Sequence, residues 1–340
     1  MSRALTVQDS SKNQLEEVKK DSILSPIDNQ VSDDVLTALL ADKRSYATKQ
    51  SYEKSLTYFF NFAYGKKPNQ KVITQFLQLG KFEAIRIVLG YKSNLIATGL
   101  TEATVNCRLS ALRSLVSFAV KIGQCKWTLN DVKSEPIQRY RDTSGVSPDA
   151  IGNMLQGCDR LTLQGKRNYA ILRLLWSNAL RRNEVVNLNL GDFDYQSRSL
   201  QILGKGHGSQ KTKITIDKET ADSIQDLVSC NDIRDPSKSS RDQALFCALD
   251  KCHLGHRLTG TAIYQIVSLA ARRSGIQKNM SPHRIRHSAI TAALDVTNGD
   301  VRKVQKLSRH KRLDTLMIYD DNRRNMQGEV SELLGDILRH

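Results

Sequence analysis

Six side chains give this sequence its clearest chemical content, because their types match what the transfer of a phosphoryl group to a tyrosine requires. Guanidiniums can hold the charge of phosphate oxygens, imidazoles and an ammonium can move protons, and a phenol can attack phosphorus. In chain order the six residues are Arg181, Lys205, His283, Arg286, His310 and Tyr319. Any one of them alone is a weak signal, but together and in this order they predict a catalytic site.

The attack on a phosphodiester needs a nucleophile and a charge clamp, and both have candidates. Tyr319 supplies the nucleophile. Because a free phenol has a pKa of about 10, it needs a base or cations nearby, and His283 or His310 can serve. Arg181 and Arg286 can each direct two N–H donors at phosphate oxygens, which a lysine cannot do.

The departing sugar oxygen needs a proton, and Lys205 is the candidate general acid. Gly204 and Gly206 flank it in a stretch that reads as a hairpin between two strands, so its ammonium can reach the leaving oxygen. With these groups in place, we expect neither a metal ion nor a cofactor.

Helical spacing supports two of the pairings. His283 and Arg286 are three residues apart, so on a helix they share one face and can meet the same phosphate. Arg181 and Glu184 have the same separation. We therefore expect Glu184 to orient Arg181 rather than to transfer a proton.

His310 and Tyr319 are nine residues apart, which on one straight helix is about 900° of rotation and places them on opposite sides. The two side chains can converge only if the chain turns between them. The stretch 312–315 contains a capping pair, Asp314 and Thr315, from which a new helix that includes Tyr319 can start.

Composition narrows the class of partner. The chain has 340 residues, a formal net charge of +16 and a pI near 9.6. Such a charge indicates an acidic polymer as partner, and DNA, RNA and anionic membrane all fit. Membrane fits least well, because no apolar run approaches the roughly 20 residues needed to span a bilayer. The first residues, from Met1 onward, lack the continuous apolar stretch of a secretory signal. We therefore expect a cytoplasmic protein, associated with the nucleoid if the host is bacterial.

The pattern along the chain predicts a mainly α fold with a small antiparallel β-sheet in the C-terminal domain. Apolar residues recur every three or four positions in the first unit, Pro136 and Gly145 punctuate a polar stretch, and short strands follow around Phe193, at 199–203 and at 211–216. The predicted parts are an N-terminal arm (1–31), a helical unit (32–129), a linker (130–146), a second unit (147–325) and a C-terminal tail (326–340).

The stretches that hold the six residues resemble the catalytic motifs of the tyrosine recombinases, the phage-integrase family. They are ALRRNE at 179–184, GKG at 204–206, PHRIRH at 282–287 and LSRH at 307–310, followed by Tyr319. ATVNCRLSALR at 103–113 resembles a helix of the family's core-binding domain. The resemblance covers about residues 32–325 and leaves the N-terminal arm unmatched.

The resemblance implies a C-shaped clamp of two domains around double-stranded DNA with an inverted-repeat core site. It implies cleavage by Tyr319 to a 3′-phosphotyrosyl link, strand exchange through a four-way junction, and no need for ATP. It also implies a homotetramer on DNA, with a monomer or weak dimer when free. The amphipathic tail at 330–338 suits docking into a neighbouring protomer, and packing on its own domain is an equal alternative.

Two positions depart from the family's pattern. Arg309 stands where the family usually has a glycine before the second histidine, and Ala179 with Leu180 replaces the glycine before the first arginine. Neither change removes a catalytic atom. Neighbouring side chains, among them Arg182, Arg284, His287 and Arg309, are interpreted as structural or as contacts to DNA phosphates.

Three further residues, Lys49, Arg108 and Arg113, lie opposite apolar stripes of the first unit and are candidate DNA contacts, with ordinary solvation as the alternative. Cys247 and Cys252, followed by His253 and His256, contain zinc-binding residue types without the gaps of a zinc knuckle. We therefore predict no metal site.

Two other functions remain open from the sequence. One is a type IB topoisomerase or telomere resolvase, which shares the tyrosine chemistry but is disfavoured by the compact size of the chain. The other is a DNA-binding protein on the same fold that does not cleave. Accessory proteins and the target DNA sequence leave no trace in the sequence.

Overall fold

The computed structural model describes residues 34–137, 145–204, 210–230, 240–314, 316–317, 319 and 326–338. The chain separates into two compact units, Met1–Arg139 and Tyr140–His340. None of the described helices is long and apolar enough to cross a membrane.

The described part of the first unit is helical. Local signals begin and end these helices: Asp34 and Asn69 accept hydrogen bonds from the backbone N–H groups of Leu36 (3.1 Å) and Val72 (3.0 Å), and Gly65 closes α2 in the left-handed conformation. The helices are α1 (Val35–Asp42), α2 (Tyr46–Tyr64), α3 (Gln70–Leu77), α4 (Lys81–Ala97) and α5 (Glu102–Lys121).

Aromatic rings fill the centre of the first unit. Phe59 and Phe76 meet edge to face with centroids 5.0 Å apart, and Phe76 meets Trp127 in the same way at 5.5 Å. The indole of Trp127 donates to the carbonyl of Leu79 (2.8 Å), so the segment after α5 is tied to the core. The unit therefore has a hydrophobic core of its own.

The start of the predicted linker belongs structurally to this first unit. Val132 is buried in its core, and the side-chain amide of Asn106 exchanges two hydrogen bonds with the backbone of Glu135. The sequence does not predict this packing, because most side chains of the segment are polar or charged and Val132 is one of its few apolar residues.

The second unit contains helices around a small sheet. Its helices are α6 (Pro148–Gln156), α7 (Leu163–Ser177), α8 (Arg182–Val186), α9 (Lys218–Ser229), α10 (Gly260–Arg273), α11 (Pro282–Val296), α12 (Val301–Ser308) and α13 (Met326–Ile337). Strands β1 (Phe193–Asp194), β2 (Ser199–Leu203) and β3 (Lys211–Thr215) form an antiparallel sheet in the order β1-β2-β3, with Leu200 opposite Ile214. The fold class predicted from the sequence, mainly α with a small antiparallel sheet, is confirmed.

Two buried clusters stabilise the second unit. The larger surrounds the largely buried α7 and includes Leu174, Leu200 and Ile285. The smaller contains Ala179, Leu294 and Tyr319 and joins the ends of α7, α11 and α12. The smaller cluster brings together segments that are about 140 residues apart in the sequence and contains the predicted nucleophile, Tyr319.

Candidate active site

Arg181 is held at the start of α8 by Glu184. Its guanidinium donates to Oε1 of Glu184 (2.7 Å), and its backbone N–H donates to Oε2 of the same carboxylate (2.9 Å). The N-terminal end of a helix favours an anionic partner, and Glu184 is almost fully buried there. The contact that the sequence predicts between these two residues is present, and 29% of the Arg181 side chain stays exposed.

The carboxylate of Glu184 is charged although it is buried. Burial raises its pKa, but the positive charge of Arg309 and the hydrogen bonds from Arg181 outweigh that effect, so the pKa lies below its usual value. Oε2 also accepts a hydrogen bond from Nη2 of Arg309 (3.1 Å). Glu184 therefore connects two cations and acts as an orienting group.

Arg286, on α11, is the largest of the fully buried side chains in the described parts of the chain and is 1% exposed. Nη1 donates to the carbonyl of Ala179 and Nη2 to the carbonyl of Ser308, while Nη2 also lies 3.4 Å from Nε2 of His310. Burial, with the charges of Arg181 and Arg309, lowers the pKa of Arg286 to about 9. The guanidinium stays charged at neutral pH and links α11 to the segments that carry Arg181 and His310.

The backbone turns just before His310. Helix α12 ends at Ser308, Arg309 has φ = 55° in the left-handed region, and His310 lies outside a helix. Asp314 is helical again. The sequence predicts a turn between His310 and Tyr319 at 312–315. The chain is non-helical from His310 to Leu313, and α12 already ends at the left-handed Arg309, a conformation that residue type alone does not predict.

Tyr319 belongs to a series of four aromatic rings. Its ring stacks on that of His287, with centroids 5.0 Å apart and planes 29° apart, and lies 6.1 Å from the ring of His310. His287 in turn meets His283 edge to face at 4.1 Å. Tyr319 is 2% exposed. The structure thus brings the predicted nucleophile and both predicted histidines into one cluster.

Lys205 lies outside the described residues. The strands on either side of it are present: β2 ends at Leu203, two residues before it, and Leu203 pairs with Lys211 on β3. The side-chain amide of Asn178, which lies three residues before Arg181, donates to the carbonyl of Thr215 on β3 (2.9 Å). Strand β3 is thus connected to the segment that carries Arg181.

Two residues of this cluster were assigned only structural or DNA-contact roles from the sequence. Arg309 contacts Glu184 directly, and His287 lies between His283 and Tyr319. The spacing of His283 and His287, four residues apart on a helix, is a signal that they share a face. For Arg309 the signal in the sequence is the replacement of the family's glycine by a large cation, which suggests a role for its side chain.

The three candidate DNA contacts have different surroundings. Arg113 donates to the carbonyl of Val132 (2.5 Å) and the hydroxyl of Ser134 (3.0 Å), so its guanidinium is occupied within the first unit. The guanidinium of Arg108 lies 4.1 Å from the centre of the Tyr58 ring, and Lys49 is partly exposed on α2. Within the described residues, no group of three or more His, Cys, Asp or Glu side chains is placed to hold a metal ion.

This arrangement can bind and polarise a phosphate. Arg181 and Arg309 both bind the carboxylate of Glu184, and the positive charges of both act on the nearby guanidinium of Arg286. The cluster therefore has an excess of positive charge beside the phenol of Tyr319. Positive charge near a phenol favours its ionised, nucleophilic form, and the same charge attracts a phosphodiester.

Comparison with known proteins gives the family. A sequence model of the phage integrase family matches residues 146–326. The chain is 47% identical to a tyrosine recombinase of Synechocystis sp. over 91% of this chain and 96% of that one. It is 45% identical to a tyrosine recombinase of Synechococcus elongatus over 90% and 94%. The tyrosine recombinase XerC of Mannheimia succiniciproducens is 29% identical over 65% of this chain and 71% of that one.

Solved structures share the fold. The XerH site-specific recombinase bound to a palindromic difH substrate matches with a TM-score of 0.63 at 18% identity, covering 92% of this chain and 87% of that one. A lambda integrase dimer bound to a COC′ core site matches with a TM-score of 0.54 at 14% identity, over 83% and 94%. The chain belongs to the phage integrase family and is a tyrosine recombinase, an enzyme of site-specific recombination.

Proposed function

We propose that this recombinase cuts and rejoins double-stranded DNA through a covalent bond between Tyr319 and a 3′-phosphate. The observation that carries the proposal is the convergence of Arg181, Arg286, His310 and Tyr319 on one buried cluster although they come from separate segments of the chain. The excess of positive charge in this cluster supports a phosphate as its ligand.

The reaction conserves atoms and charge without an external energy source. Oη of Tyr319 bonds to phosphorus, its proton passes to His283 or His310, and the bond to the 5′-oxygen of the next nucleotide breaks. Lys205 gives that oxygen its proton. Arg181 and Arg286 hold the charge on the remaining phosphate oxygens. Because the phosphotyrosyl bond stays a diester, a free 5′-hydroxyl can reverse the step, so neither ATP nor a metal ion is needed.

Tyr319 and Arg286 are 2% and 1% exposed, so neither can touch a phosphate until the groups that cover them move. Arg181 is the more accessible of the two proposed clamp residues. We infer that DNA first meets Arg181 and that contact of Arg286 and Tyr319 with the phosphate follows a local rearrangement.

The assembly that we propose is a homotetramer on an inverted-repeat core site, formed from monomers or weak dimers, with strand exchange through a four-way junction. Recombination between two sites requires two duplexes and therefore four strand cuts, which four protomers provide. The α13 helix supports protomer contacts, because Val330, Leu333, Leu334 and Ile337 expose apolar side chains along it. A recombinase must reach cellular DNA, so we place it in the cytoplasm and, in a bacterial host, at the nucleoid.

Capture of covalent DNA tests the chemistry. The protein is incubated with fragmented host DNA in EDTA and the reaction is stopped with detergent. Protein-linked fragments are then isolated and sequenced. We expect fragments that share one inverted-repeat core, with a 5′-hydroxyl at the cut that a kinase can label and a 3′ end blocked by protein.

Two variants make the test specific. Tyr319→Phe removes only the phenolic oxygen and should abolish capture. Tyr264→Phe, at a partly exposed tyrosine on α10 in the same unit, should leave it unchanged. Capture by Tyr319→Phe would exclude Tyr319 as nucleophile. Binding without capture by the unaltered protein would favour the non-cleaving DNA-binding protein, and relaxation of supercoiled DNA without exchange would favour a topoisomerase.

A further inference from the structure

Arg309 turns its side chain into the site from a strained backbone position. Its φ of 55° lies in the left-handed region, which an L-residue adopts only at a cost in free energy that glycine does not have. The side chain is 18% exposed. An arginine that served only as solvated surface charge would gain nothing from this burial or from this backbone conformation.

The Arg309 guanidinium makes hydrogen bonds to both segments that surround Arg181. Nη1 donates to the carbonyl of Asn178 (3.1 Å), and Nη2 donates to the carbonyl of Ala179 (3.2 Å) and to Oε2 of Glu184 (3.1 Å). A fourth bond, from Nη1 to the carbonyl of Leu307 (2.6 Å), fixes the guanidinium to the end of its own helix.

The backbone carbonyl of Arg309 also takes part in this hydrogen-bond network. Nη2 of Arg181 donates to the carbonyl of Arg309 (3.3 Å), and Arg286 donates to the carbonyl of Ala179, which Arg309 also contacts. Arg309 is followed directly by His310. One residue therefore connects the proposed phosphate clamp, its orienting carboxylate and the segment that carries a proposed catalytic histidine.

This hydrogen-bond network places the cation of Arg309 beside those of Arg181 and Arg286, and the repulsion among them costs free energy. The charges of Arg181 and Arg309 oppose the charge on Arg286, and burial adds to this cost. Four directed hydrogen bonds offset it. A planar guanidinium can make these bonds at fixed angles, whereas a lysine offers a single ammonium at the end of a flexible chain.

We propose that Arg309 is a positioning residue for DNA cleavage, which holds Glu184 and the 178–179 turn so that Arg181 presents its guanidinium to the phosphate. This inference rests on the proposed roles of Arg181 and Tyr319. Arg309 acts through Glu184 and the turn and makes no contact with the phosphate itself.

Replacement of Arg309 by glycine tests this role, since glycine accepts the left-handed backbone and removes only the side chain. With the DNA fragment that the unaltered protein captures, Arg309→Gly should form the covalent complex about 100-fold more slowly, the scale of effect of a small misplacement. Its DNA affinity should fall by far less than the rate, and the slope of log affinity against log salt should be unchanged, because Arg309 contacts no phosphate. Free guanidinium ion, at concentrations too low to denature the protein, should restore part of the rate, and equal sodium chloride should not.

The pH profile gives a readout that a purely structural role would not move. The charge of Arg309 keeps the pKa of Glu184 low, so in Arg309→Gly this pKa should rise and the acid limb of the cleavage profile should move toward neutral pH. Arg309→Lys keeps the charge but has one donor group, and we expect a rate between those of the other two proteins. It also provides a folded variant if the glycine variant does not fold.

Arg198→Gly is the matched control. Arg198 also has a positive φ, 45°, and lies exposed in the turn between β1 and β2, so the substitution gives the same backbone relief away from the site. It should cleave at the unaltered rate. A fully active Arg309→Gly, or slow cleavage that neither guanidinium nor Arg309→Lys improves, would overturn the inference. Failure of the unaltered protein to capture DNA would instead reject the proposed function.

Discussion

Glu184 is the one carboxylate that the described residues place among the three arginines of the site, so it balances part of their charge. It is 2% exposed and accepts hydrogen bonds from Arg181 and Arg309. A buried charge is tolerated only when its partners are positioned to meet it, and here two cations meet one anion. Glu184 therefore fixes the relative orientation of the Arg181 and Arg309 guanidiniums, although it transfers no proton.

Replacement of Glu184 by glutamine should lower the free energy of unfolding by about 3 kcal/mol at pH 6. This is the low end of the effect of removing one partner from a buried ion pair, because glutamine keeps one acceptor oxygen. Denaturant unfolding of both proteins measures the difference. An unchanged stability at pH 6 would mean that solvent already screens this carboxylate.

The same pair of proteins should show a defined pH dependence. The folded-state pKa of Glu184 lies below its unfolded value of about 4.3, so its stabilising contribution is fully present above that pH and is lost as the pH falls through the folded-state pKa. The difference between the two proteins should therefore be constant above about pH 5 and shrink on further acidification. Other carboxylates are common to both proteins and cancel.

At the scale of elements, strands β2 and β3 precede and follow Lys205, the proposed general acid, in the sequence. A half-buried ion pair stabilises these strands. Lys211, the first residue of β3, donates to Asp192, whose other oxygen accepts the backbone N–H of Asn189 (2.9 Å). Asn178 joins β3 to the turn before Arg181. Strand β3 is thus held through Lys211 and through Thr215.

Asp192→Asn should loosen this hairpin, because it removes the charge that binds Lys211. Since Lys211 is a third exposed, we expect a loss of only about 1–2 kcal/mol in the free energy of unfolding. Amide hydrogen exchange in β2 and β3 should become faster than in α7. Equal protection of the strands in both proteins would show that the ion pair does not hold the hairpin.

The effect of Asp192→Asn on cleavage should depend on the leaving group. A DNA substrate with sulfur in place of the bridging 5′-oxygen releases a thiolate, which needs no proton from Lys205 because thiols are far more acidic than alcohols. The variant should cleave normal DNA more slowly and the sulfur substrate at the unaltered rate. Slow cleavage of both substrates would place the defect elsewhere.

Sequence patterns predict elements better than they predict the turns that join catalytic residues. Apolar periodicity gives α2 and α5, alternation gives β3, and spacing gives the contact of Arg181 with Glu184, because all of these are local. The left-handed conformations of Ala179 and Arg309 are not predictable from residue type, since both residues usually avoid φ above zero and tertiary contacts impose it here. The burial of Arg286 likewise depends on carbonyls that lie 22 and 107 residues away in the chain.

For the whole molecule, two units with separate cores share a chain of net charge +16. This charge accounts for attraction to DNA of any sequence, but individual cations contribute to it unequally. The guanidinium of Arg113 is occupied by Val132 and Ser134, whereas the guanidinium of Arg108 lies over the ring of Tyr58. The predicted DNA contacts of the first unit should therefore separate into two kinds.

Salt dependence of DNA binding distinguishes these two kinds. Each lost phosphate contact lowers the slope of log affinity against log salt by about 0.9, so Lys49→Met and Arg108→Met should each give about that decrease between about 50 and 200 mM salt. Arg113→Met should leave the slope unchanged and instead lower the free energy of unfolding by about 1–3 kcal/mol, because its two hydrogen bonds are lost. Fluorescence anisotropy with a duplex of arbitrary sequence and denaturant unfolding measure the two quantities. A reduced slope for Arg113→Met without loss of stability would show that this arginine leaves Val132 and Ser134 to bind DNA. Its contacts in the free protein would then orient the side chain without stabilising the fold.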